Sequence, residues 1–208
     1  MSAKFYFISF APYAIAALLG SIPMGLLLAR AQGIDIRSQG SGNIGATNVT
    51  RVVNKATGMA TLILDLLKGV VAVLFVPHLF PGASPATCGA CVVIGHCYSI
   101  FLKGRGGKGV ATSLGVFICL SPVNAILATS AFFIVFYYSH YVSLGSIAAS
   151  LSMIALVSVQ WFQGIIFEQE AIAAIVVALI VFIRHLSNIK RLIRGTELKF
   201  GTKPHSEP

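Results

Sequence analysis

The chain has 208 residues, of which 56% are hydrophobic and only 10% are charged, and its mean hydropathy is +0.86. Soluble domains carry about 25% charged residues, so this balance excludes an ordinary soluble protein and favours one that crosses a membrane several times. A net charge of +9 would suit nucleic acid, but most cations fall in three polar segments, as on the cytoplasmic side of a bilayer, and we expect no nucleic-acid partner. These cations are Arg30, Arg37, Arg51 and Lys55, then Lys103, Arg105 and Lys108, then Arg184, Lys190, Arg191, Arg194, Lys199 and Lys203.

Continuous apolar runs predict an all-α integral membrane protein, with residues 1–208 as one domain. β-Barrel strands would alternate polar and apolar residues, and these runs do not. The first run is too long for a cleaved signal peptide and continues into a polar loop. A polar tail, 195–208, is expected to be mobile and cytoplasmic. The apolar runs cover residues 5–29, 57–76, 86–102, 109–139, 145–162 and 171–183.

The run 109–139 is interrupted at Ser121-Pro-Val-Asn124 and could form one long helix or two short ones. The positions of the basic segments decide between these two possibilities. With the N-terminus outside, a single helix would place the C-terminal cations outside, whereas two helices broken at Pro122 keep all three basic segments inside. At ~1.5 Å per residue each short piece reaches only about 20 Å, so the pair either crosses as two short segments or dips into the bilayer and returns, with the same result for the basic segments. We therefore predict seven transmembrane helical segments, the fourth and fifth short, with the N-terminus outside and the C-terminus cytoplasmic.

The polar loop 40–51, GSGNIGATNVTR, is the first candidate site. Its glycines lack a Cβ, so backbone N–H groups can approach a ligand closely, while its amides, hydroxyls and cation suit a phosphate. The loop spells GxGxxG, but no strand precedes it, so a dinucleotide site does not fit. The alternative is a tight inter-helix turn that needs glycine only for its backbone. The candidate residues are Ser41, Gly42, Asn43, Gly45, Thr47, Asn48 and Arg51.

A second loop, KGRGGKG at 103–109, runs into the start of a predicted helix. A helix N-terminus offers free N–H groups and a partial positive charge, to which Lys108 adds a full charge. Gly109 replaces the Ser or Thr that would hold magnesium in an ATP-binding loop, so we expect no ATPase. A loop that serves only the positive-inside bias would explain the cations but not four glycines among seven residues. The candidates are Gly106, Gly107, Lys108 and Gly109.

Polar residues inside the apolar runs have a structural interpretation. Asp65 and Lys68 lie three residues apart on one helix face. A lone charge at mid-membrane costs ~2.5–3.5 kcal/mol, so the two are interpreted as an ion pair, the alternative being that Lys68 faces the anion site. His96 and Ser99 are interpreted as a hydrogen-bonded pair within the bundle.

Three further candidates lie near the ends of the last predicted spans. His185 and Asn188 are three residues apart and can point the same way. His185 could donate a hydrogen bond to a phosphate or act as a base. Arg184 is interpreted as an interfacial cation without chemistry, and Ser143 is a candidate by position alone. Few carboxylates lie near the loops, so we expect neither a metal nor another cofactor. Nothing forms a nucleophile–base–acid triad, so a transferase would need a donor that is already activated.

Seven motifs, in order along nearly the whole chain, resemble the bacterial acyl-phosphate:glycerol-3-phosphate acyltransferase family, PlsY. The two glycine-rich motifs are the most specific of them, and no motif position departs from the family pattern. The motifs are Ser21-Ile-Pro-Met-Gly25, Gly40-Ser-Gly-Asn-Ile-Gly-Ala-Thr-Asn48 with Arg51, Asp65-Leu-Leu-Lys-Gly69, Gly95-His96, Gly106-Gly-Lys-Gly-Val-Ala-Thr112, Ser143-Leu, and Arg184-His-Leu-Ser-Asn188 with Arg191-Leu.

The resemblance implies a multi-pass enzyme of the bacterial inner membrane with seven transmembrane helices and an active site on the cytoplasmic face. It implies transfer of a fatty acyl group from long-chain acyl phosphate to the 1-hydroxyl of glycerol 3-phosphate, giving lysophosphatidic acid and inorganic phosphate for phospholipid synthesis. Membrane lipid surrounds such an enzyme, and no protein partner is identified. Carried over by motif, the residues that would line the site are Ser41, Asn43, Thr47, Asn48, Arg51, Lys108, Ser143, His185 and Asn188.

We expect direct attack of the glycerol hydroxyl on the acyl carbonyl. Arg51 and Lys108 would neutralise the departing phosphate, and Ser143, Asn188 and His185 would orient glycerol 3-phosphate. The base is either His185 or a phosphate oxygen of the substrate.

Two other classes of function remain as alternatives. A transporter or flippase for a phosphorylated solute or lipid would need polar groups near the midplane and access from both faces, whereas the polar groups of this sequence gather at one face. A membrane interaction protein with basic loops would tolerate Lys108→Ala and Asn48→Ala singly, whereas an enzyme would lose most of its rate.

Overall fold

The computed structural model describes residues 3–201, with side chains described from Phe10 onwards. This part of the chain contains ten α-helices and one 3₁₀ turn and no strand, which confirms the predicted all-α class. The helices are α1 (Ala3–Ser21), α2 (Met24–Arg30), α3 (Ala46–Val52), α4 (Lys55–Leu79), α5 (Pro85–Cys97), α6 (Val110–Leu120), α7 (Pro122–Ser139), α8 (Val142–Phe162), α9 (Glu168–Arg184) and α10 (Leu186–Ile193), and the 3₁₀ turn is Ile100–Leu102.

Within the described residues, five segments are long and apolar enough to cross a membrane. They correspond to α1 with α2, α4, α5 with the 3₁₀ turn, α7 and α8. Helices α9 and α10 meet at 43° and make a sixth if the bent pair is one span. The structure therefore has the helix lengths of the multi-pass membrane protein that the composition predicts.

The predicted break in 109–139 is confirmed, because α6 ends at Leu120 and α7 begins at Pro122. Proline is favoured at the first position of a helix, where its missing N–H leaves no hydrogen bond unmade. The prediction that both pieces are short is wrong for the second one. Helix α6 has 11 residues, but α7 has 18 and is long enough to cross a membrane.

A second break separates α1 from α2 at Pro23, a residue without a backbone N–H. Lys68 Nζ donates to the carbonyl oxygens of Gly20 and Ile22 at this break, at 2.9 and 3.2 Å. The same ammonium lies 2.9 Å from Asp65 Oδ1, and both side chains are buried. The predicted ion pair is therefore confirmed, and it also satisfies the backbone of a broken helix.

Glycines allow the central helices to approach each other closely. A Cβ on Gly95 of α5 would overlap the carbonyl of Ala17 in α1, and a Cβ on Gly69 of α4 would overlap that of Thr112 in α6. Small residues at such crossings are typical of helix packing in membranes. This packing lets both glycine-rich loops, the start of α8 and the end of α9 meet around one cavity.

The tail predicted to be mobile is docked over its described part. Phe200 N donates to the carbonyl of His140 at 2.9 Å, and the Phe200 ring meets that of Phe136 edge-on at 5.6 Å. The Glu197 side chain is buried against residues of α8 and α10. An aromatic residue and a paired carboxylate thus fix residues 195–201, while 202–208 of the predicted tail lie outside the described residues.

Candidate active site

A cavity of about 490 Å³ brings most of the candidate residues together. Its lining comes from both glycine-rich loops, the N-terminal turns of α6 and α8, the junction of α9 with α10, and the tail. Three predicted residues, Gly42, Gly106 and Gly107, are absent from this lining. The candidates that line it are Ser41, Asn43, Gly45, Thr47, Asn48, Arg51, Lys108, Gly109, Ser143, His185 and Asn188.

Asn48 shapes the first loop from inside. Its Nδ2 atom lies 3.2, 3.1 and 2.9 Å from the carbonyl oxygens of Ile36, Gln39 and Asn43, and its Oδ1 accepts from Ser41 N at 2.9 Å. Because the side chain is only 1% exposed and its hydrogen bonds go to the loop, its amide fixes the position of the other loop residues.

Two residues of the first loop have special backbone or side-chain environments. Gly42 has a φ of +68°, a left-handed conformation that favours glycine, so it shapes the turn without lining the cavity. Arg51 Nε is buried and has no hydrogen-bond partner among the described residues. A buried donor without a partner is costly, and a phosphate oxygen in the cavity would satisfy it.

The second loop is held between α5 and α9. Gly106 N and Gly107 N donate to the carbonyls of Cys97 and His96 at 3.2 and 3.0 Å. Arg184 donates from the other side to the carbonyls of Gly107 and Gly106, at 3.0 and 2.9 Å. Arg184, interpreted from the sequence as an interfacial cation, is therefore a loop anchor.

Lys108 contributes a cation to the lining of the cavity. Its Nζ donates to Asn188 Oδ1 at 2.6 Å. Burial lowers the pKa of the Lys108 ammonium to about 8, an effect that nearby Glu197 opposes and nearby Arg191 reinforces. The group is therefore largely protonated at neutral pH and carries a partly desolvated charge suited to an anion.

Glu197 is a cavity residue that sequence reasoning missed. Its Oε1 accepts from Ser143 Oγ at 2.7 Å and from Asn188 Nδ2 at 2.6 Å, and its Oε2 accepts from Arg191 Nε at 2.7 Å. Burial alone would raise the pKa of this carboxyl, but the three hydrogen bonds hold the pKa below its usual value. The one available signal was that Glu197 is the sole acidic residue in 184–203, a segment rich in cations.

His185 follows the last residue of α9 and is buried. Its Nδ1 lies 2.7 Å from the carbonyl oxygen of Val181. A carbonyl only accepts hydrogen bonds, so Nδ1 carries the hydrogen in this contact and Nε2 of the neutral ring is left as an acceptor. His185 can therefore accept a hydrogen bond from a substrate hydroxyl.

Two polar residues of the transmembrane helices, Asp65 and His96, also line the cavity. The predicted pair between His96 and Ser99 is wrong. Ser99 Oγ donates to the carbonyl of Ser21 at 2.6 Å, whereas His96 Nδ1 faces Asp65 Oδ1 at 3.6 Å.

The charge arrangement of the cavity suits a phosphate rather than a metal ion. Arg51, Lys108 and Arg191 contribute positive charge, whereas the carboxylates of Asp65 and Glu197 are each paired with a cation. With hydroxyls, amides and backbone N–H groups around these cations, the cavity can hold phosphate groups and neutralise charge that develops on them.

A multi-pass helical protein with a cationic cavity at the ends of its helices belongs to the class of membrane proteins that bind anionic substrates. The model of the glycerol-3-phosphate acyltransferase family matches residues 10–195, and this chain belongs to that family. It is 48% identical to the glycerol-3-phosphate acyltransferase of Geotalea daltonii over 89% of this chain and 94% of that protein. It is 46% identical to that of Geobacter sulfurreducens over 90% of this chain and 95% of that protein. The family predicted from the motifs is thus confirmed, and the chain is an acyltransferase.

Two crystal structures of PlsY (YgiH), an integral membrane glycerol 3-phosphate acyltransferase, share the fold. The glycerol 3-phosphate form has a TM-score of 0.83 and 38% identity, covering 93% of this chain and 96% of that one. The lysophosphatidic acid form has a TM-score of 0.79 and 36% identity over the same shares of the two chains.

Proposed function

We propose that this enzyme transfers a fatty acyl group from acyl phosphate to the 1-hydroxyl of glycerol 3-phosphate, releasing lysophosphatidic acid and inorganic phosphate for bacterial phospholipid synthesis. One observation carries the proposal: a single cavity joins Arg51 of the first loop to Lys108 of the second, with His185 and Asn188 beside them. The related PlsY structures, in glycerol 3-phosphate and lysophosphatidic acid forms, support the acceptor and the product.

The cavity residues divide into ligand contacts and supports in this proposal. Arg51, Lys108 and the N–H groups at the start of α6 neutralise phosphate, and Ser143, Asn188 and His185 orient the glycerol moiety. Asn48 acts by holding the first loop. Further substrate contacts come from Ser41, Asn43, Gly45, Thr47 and Gly109, while Gly42, Gly106 and Gly107 shape the loops.

The reaction needs no covalent enzyme intermediate, because the acyl phosphate donor is already activated. The glycerol oxygen attacks the acyl carbonyl, the bond from the acyl carbon to the phosphate oxygen breaks, and the hydroxyl proton passes to His185 Nε2. Donors aimed at the developing oxyanion and at the leaving phosphate supply the rate, at about 10²–10³-fold for a single well-placed donor.

An apolar wall of the cavity provides a place for the acyl chain. Leu62 of α4, Phe132 of α7 and Leu198 of the tail line this side. Each CH₂ group of the acyl chain that these side chains bury contributes about 0.8 kcal/mol to binding. A longer acyl chain buries more CH₂ groups, so this wall favours the binding of a long-chain donor. Exposed apolar residues on α7, such as Ile134, face the surrounding lipid in this proposal.

We place the enzyme in the inner membrane as seven helical segments, with the N-terminus outside and the C-terminus and active site at the cytoplasmic face. The short helix α6 is counted as the fourth segment, so α7 becomes the fifth. This arrangement leaves all three cationic polar segments on one side, in agreement with the positive-inside rule.

The donor is tested with purified protein in detergent or lipid, given glycerol 3-phosphate with palmitoyl phosphate and separately with palmitoyl-CoA. We expect lysophosphatidic acid and phosphate from the acyl phosphate only. Product from palmitoyl-CoA alone would contradict the proposed donor. No product from either donor, with a folded protein that carries glycerol 3-phosphate into liposomes, would favour a transporter.

A further inference from the structure

We propose that His96 is a positioning residue for acyl transfer. Its imidazole packs against the second glycine-rich loop and sets the position of Lys108. Because this ring lies against Gly107, that position accommodates only a glycine. The inference rests on the proposed function, since it takes Lys108 to bind a substrate phosphate.

The contact between ring and loop is direct. A Cβ built on Gly107 would overlap His96 Nε2 and would lie 2.9 Å from Cε1 and 3.1 Å from Cδ2. The three atoms nearest to this Cβ all belong to the His96 side chain, so the ring is the first group that a side chain at position 107 would meet. Gly107 has no positive φ, so its backbone conformation does not itself require glycine.

The other edge of the ring faces the buried carboxylate of Asp65, at a distance beyond a hydrogen bond. His96 is 5% exposed, and its Nδ1 faces Asp65 Oδ1 at 3.6 Å. Asp65 in turn lies 2.9 Å from Lys68 Nζ, which is anchored on two carbonyls at the break between α1 and α2. A continuous set of buried contacts therefore runs from the α1–α2 break through α4 and α5 to the loop.

The opposite side of the loop is equally constrained. Arg184 of α9 holds the carbonyls of Gly106 and Gly107, and the next residue, Lys108, donates to Asn188 at 2.6 Å. With the loop clamped between His96 and Arg184, the thickness of the imidazole sets how far the Lys108 ammonium reaches into the cavity.

Direct phosphate contact at these glycines would give a different pattern of substitutions. Gly106 and Gly107 do not line the cavity. A Cβ on Gly106 would overlap the backbone carbonyl of His96 and lie 2.8 Å from Cys97 O, whereas a Cβ on Gly107 meets a side chain. Only the second clash can be removed by shortening a side chain.

The test is therefore a rescue experiment with a matched control. Gly107→Ala should lower kcat/KM for glycerol 3-phosphate by about 100-fold, the size of effect that a displacement of about 1 Å can have. Adding His96→Ala should raise kcat/KM at least about tenfold above that of the Gly107→Ala variant, because the new methyl group then has space. Gly106→Ala should lose activity to a similar extent and should not be rescued by His96→Ala.

A second comparison separates positioning of Lys108 from general support. If His96 acts through Lys108, His96→Ala should lower kcat/KM in the native background and have no further effect beside Lys108→Ala, because residues that act as a unit are non-additive. The same fractional loss in both backgrounds would overturn the inference. His96→Asn serves in these comparisons if the alanine variant does not fold.

The thermal unfolding midpoint in detergent gives a readout independent of activity. It should fall in the Gly107→Ala variant and recover in the His96→Ala, Gly107→Ala double variant. An inactive native enzyme would contradict the proposed function, whereas an active native enzyme with no rescue of Gly107→Ala in either measurement would overturn this inference alone.

Discussion

Lys108 is the residue on which the charge of the cavity depends most directly. Burial brings its pKa to about 8, close enough to physiological pH for its charge to be lost within an accessible range. Its hydrogen bond to Asn188 joins the second loop to α10. A substrate phosphate can replace or share this bond. Its attraction to the partly desolvated ammonium is stronger than its attraction to an exposed one would be.

This pKa predicts the pH profile. The protonated form binds phosphate, so kcat/KM for glycerol 3-phosphate should be close to full at neutral pH and fall as the pH rises through the pKa of about 8. Lys108→Arg keeps its charge, so the fall should move to higher pH in that variant even if its rate is lower. An identical alkaline limb in both proteins would show that another group is responsible.

His185 is held by Val181 through Nδ1, which leaves Nε2 for the substrate hydroxyl. His185→Gln retains a hydrogen-bonding group but cannot take a proton. We expect kcat to fall by about 100-fold or more while KM for glycerol 3-phosphate changes little. A rate within about tenfold of the native enzyme would assign the proton to a phosphate oxygen of the substrate instead.

Where the regular hydrogen bonding of a helix is interrupted, a residue far away in the sequence can supply the missing hydrogen-bond partner. At Pro23 the α1–α2 break is satisfied by Lys68 of α4, a partner that no local pattern could identify. The break before Pro122 was predictable, because proline and the charge distribution are both visible in the sequence. The ion pair of Asp65 and Lys68 was predictable from spacing, but its role in capping a broken helix was not.

Removing one member of this pair should be worse than removing both. Lys68→Met leaves Asp65 buried without its cation, and the loss of one partner of a buried pair costs about 3–5 kcal/mol. We expect a marked drop in the thermal unfolding midpoint, partly reversed by adding Asp65→Asn. The reversal stays partial because the carbonyls of Gly20 and Ile22 still lack their donor. Equal midpoints for the single and double variants would contradict this account.

Across the whole molecule, local motifs predicted which residues meet in one cavity better than they predicted the limits of that cavity. The combination of glycines, amides, hydroxyls and cations in the two loops identified residues that share the cavity, because together these groups suit a phosphate. Gly42, Gly106 and Gly107 are the exceptions, since they shape the loops without lining the cavity. Glu197 was missed because its partners, Ser143 and Asn188, are distant in the sequence or lie on another element. Gly107 was assigned to the ligand because its neighbour His96 cannot be deduced without the packing of α5.

The proposed topology predicts which loops a membrane-impermeant thiol reagent can reach in intact cells. In a variant lacking Cys88, Cys91, Cys97 and Cys119, a single cysteine at Ile165 should be labelled from outside. A single cysteine at Arg105 should react only after the cells are opened, since the proposed topology places its basic loop on the cytoplasmic side. Labelling of the Arg105 position in intact cells would reverse the orientation.

The central claim is that this one cavity carries acyl transfer, and a pair of substitutions in one loop tests it most directly. Lys108 lines the cavity, whereas Arg105, three residues earlier and exposed, does not. Lysophosphatidic acid formation from glycerol 3-phosphate and palmitoyl phosphate is measured for both alanine variants beside the native protein. We predict a loss of at least about 100-fold for Lys108→Ala and less than about twofold for Arg105→Ala. Equal rates for the two variants would contradict the claim that the reaction takes place in this cavity.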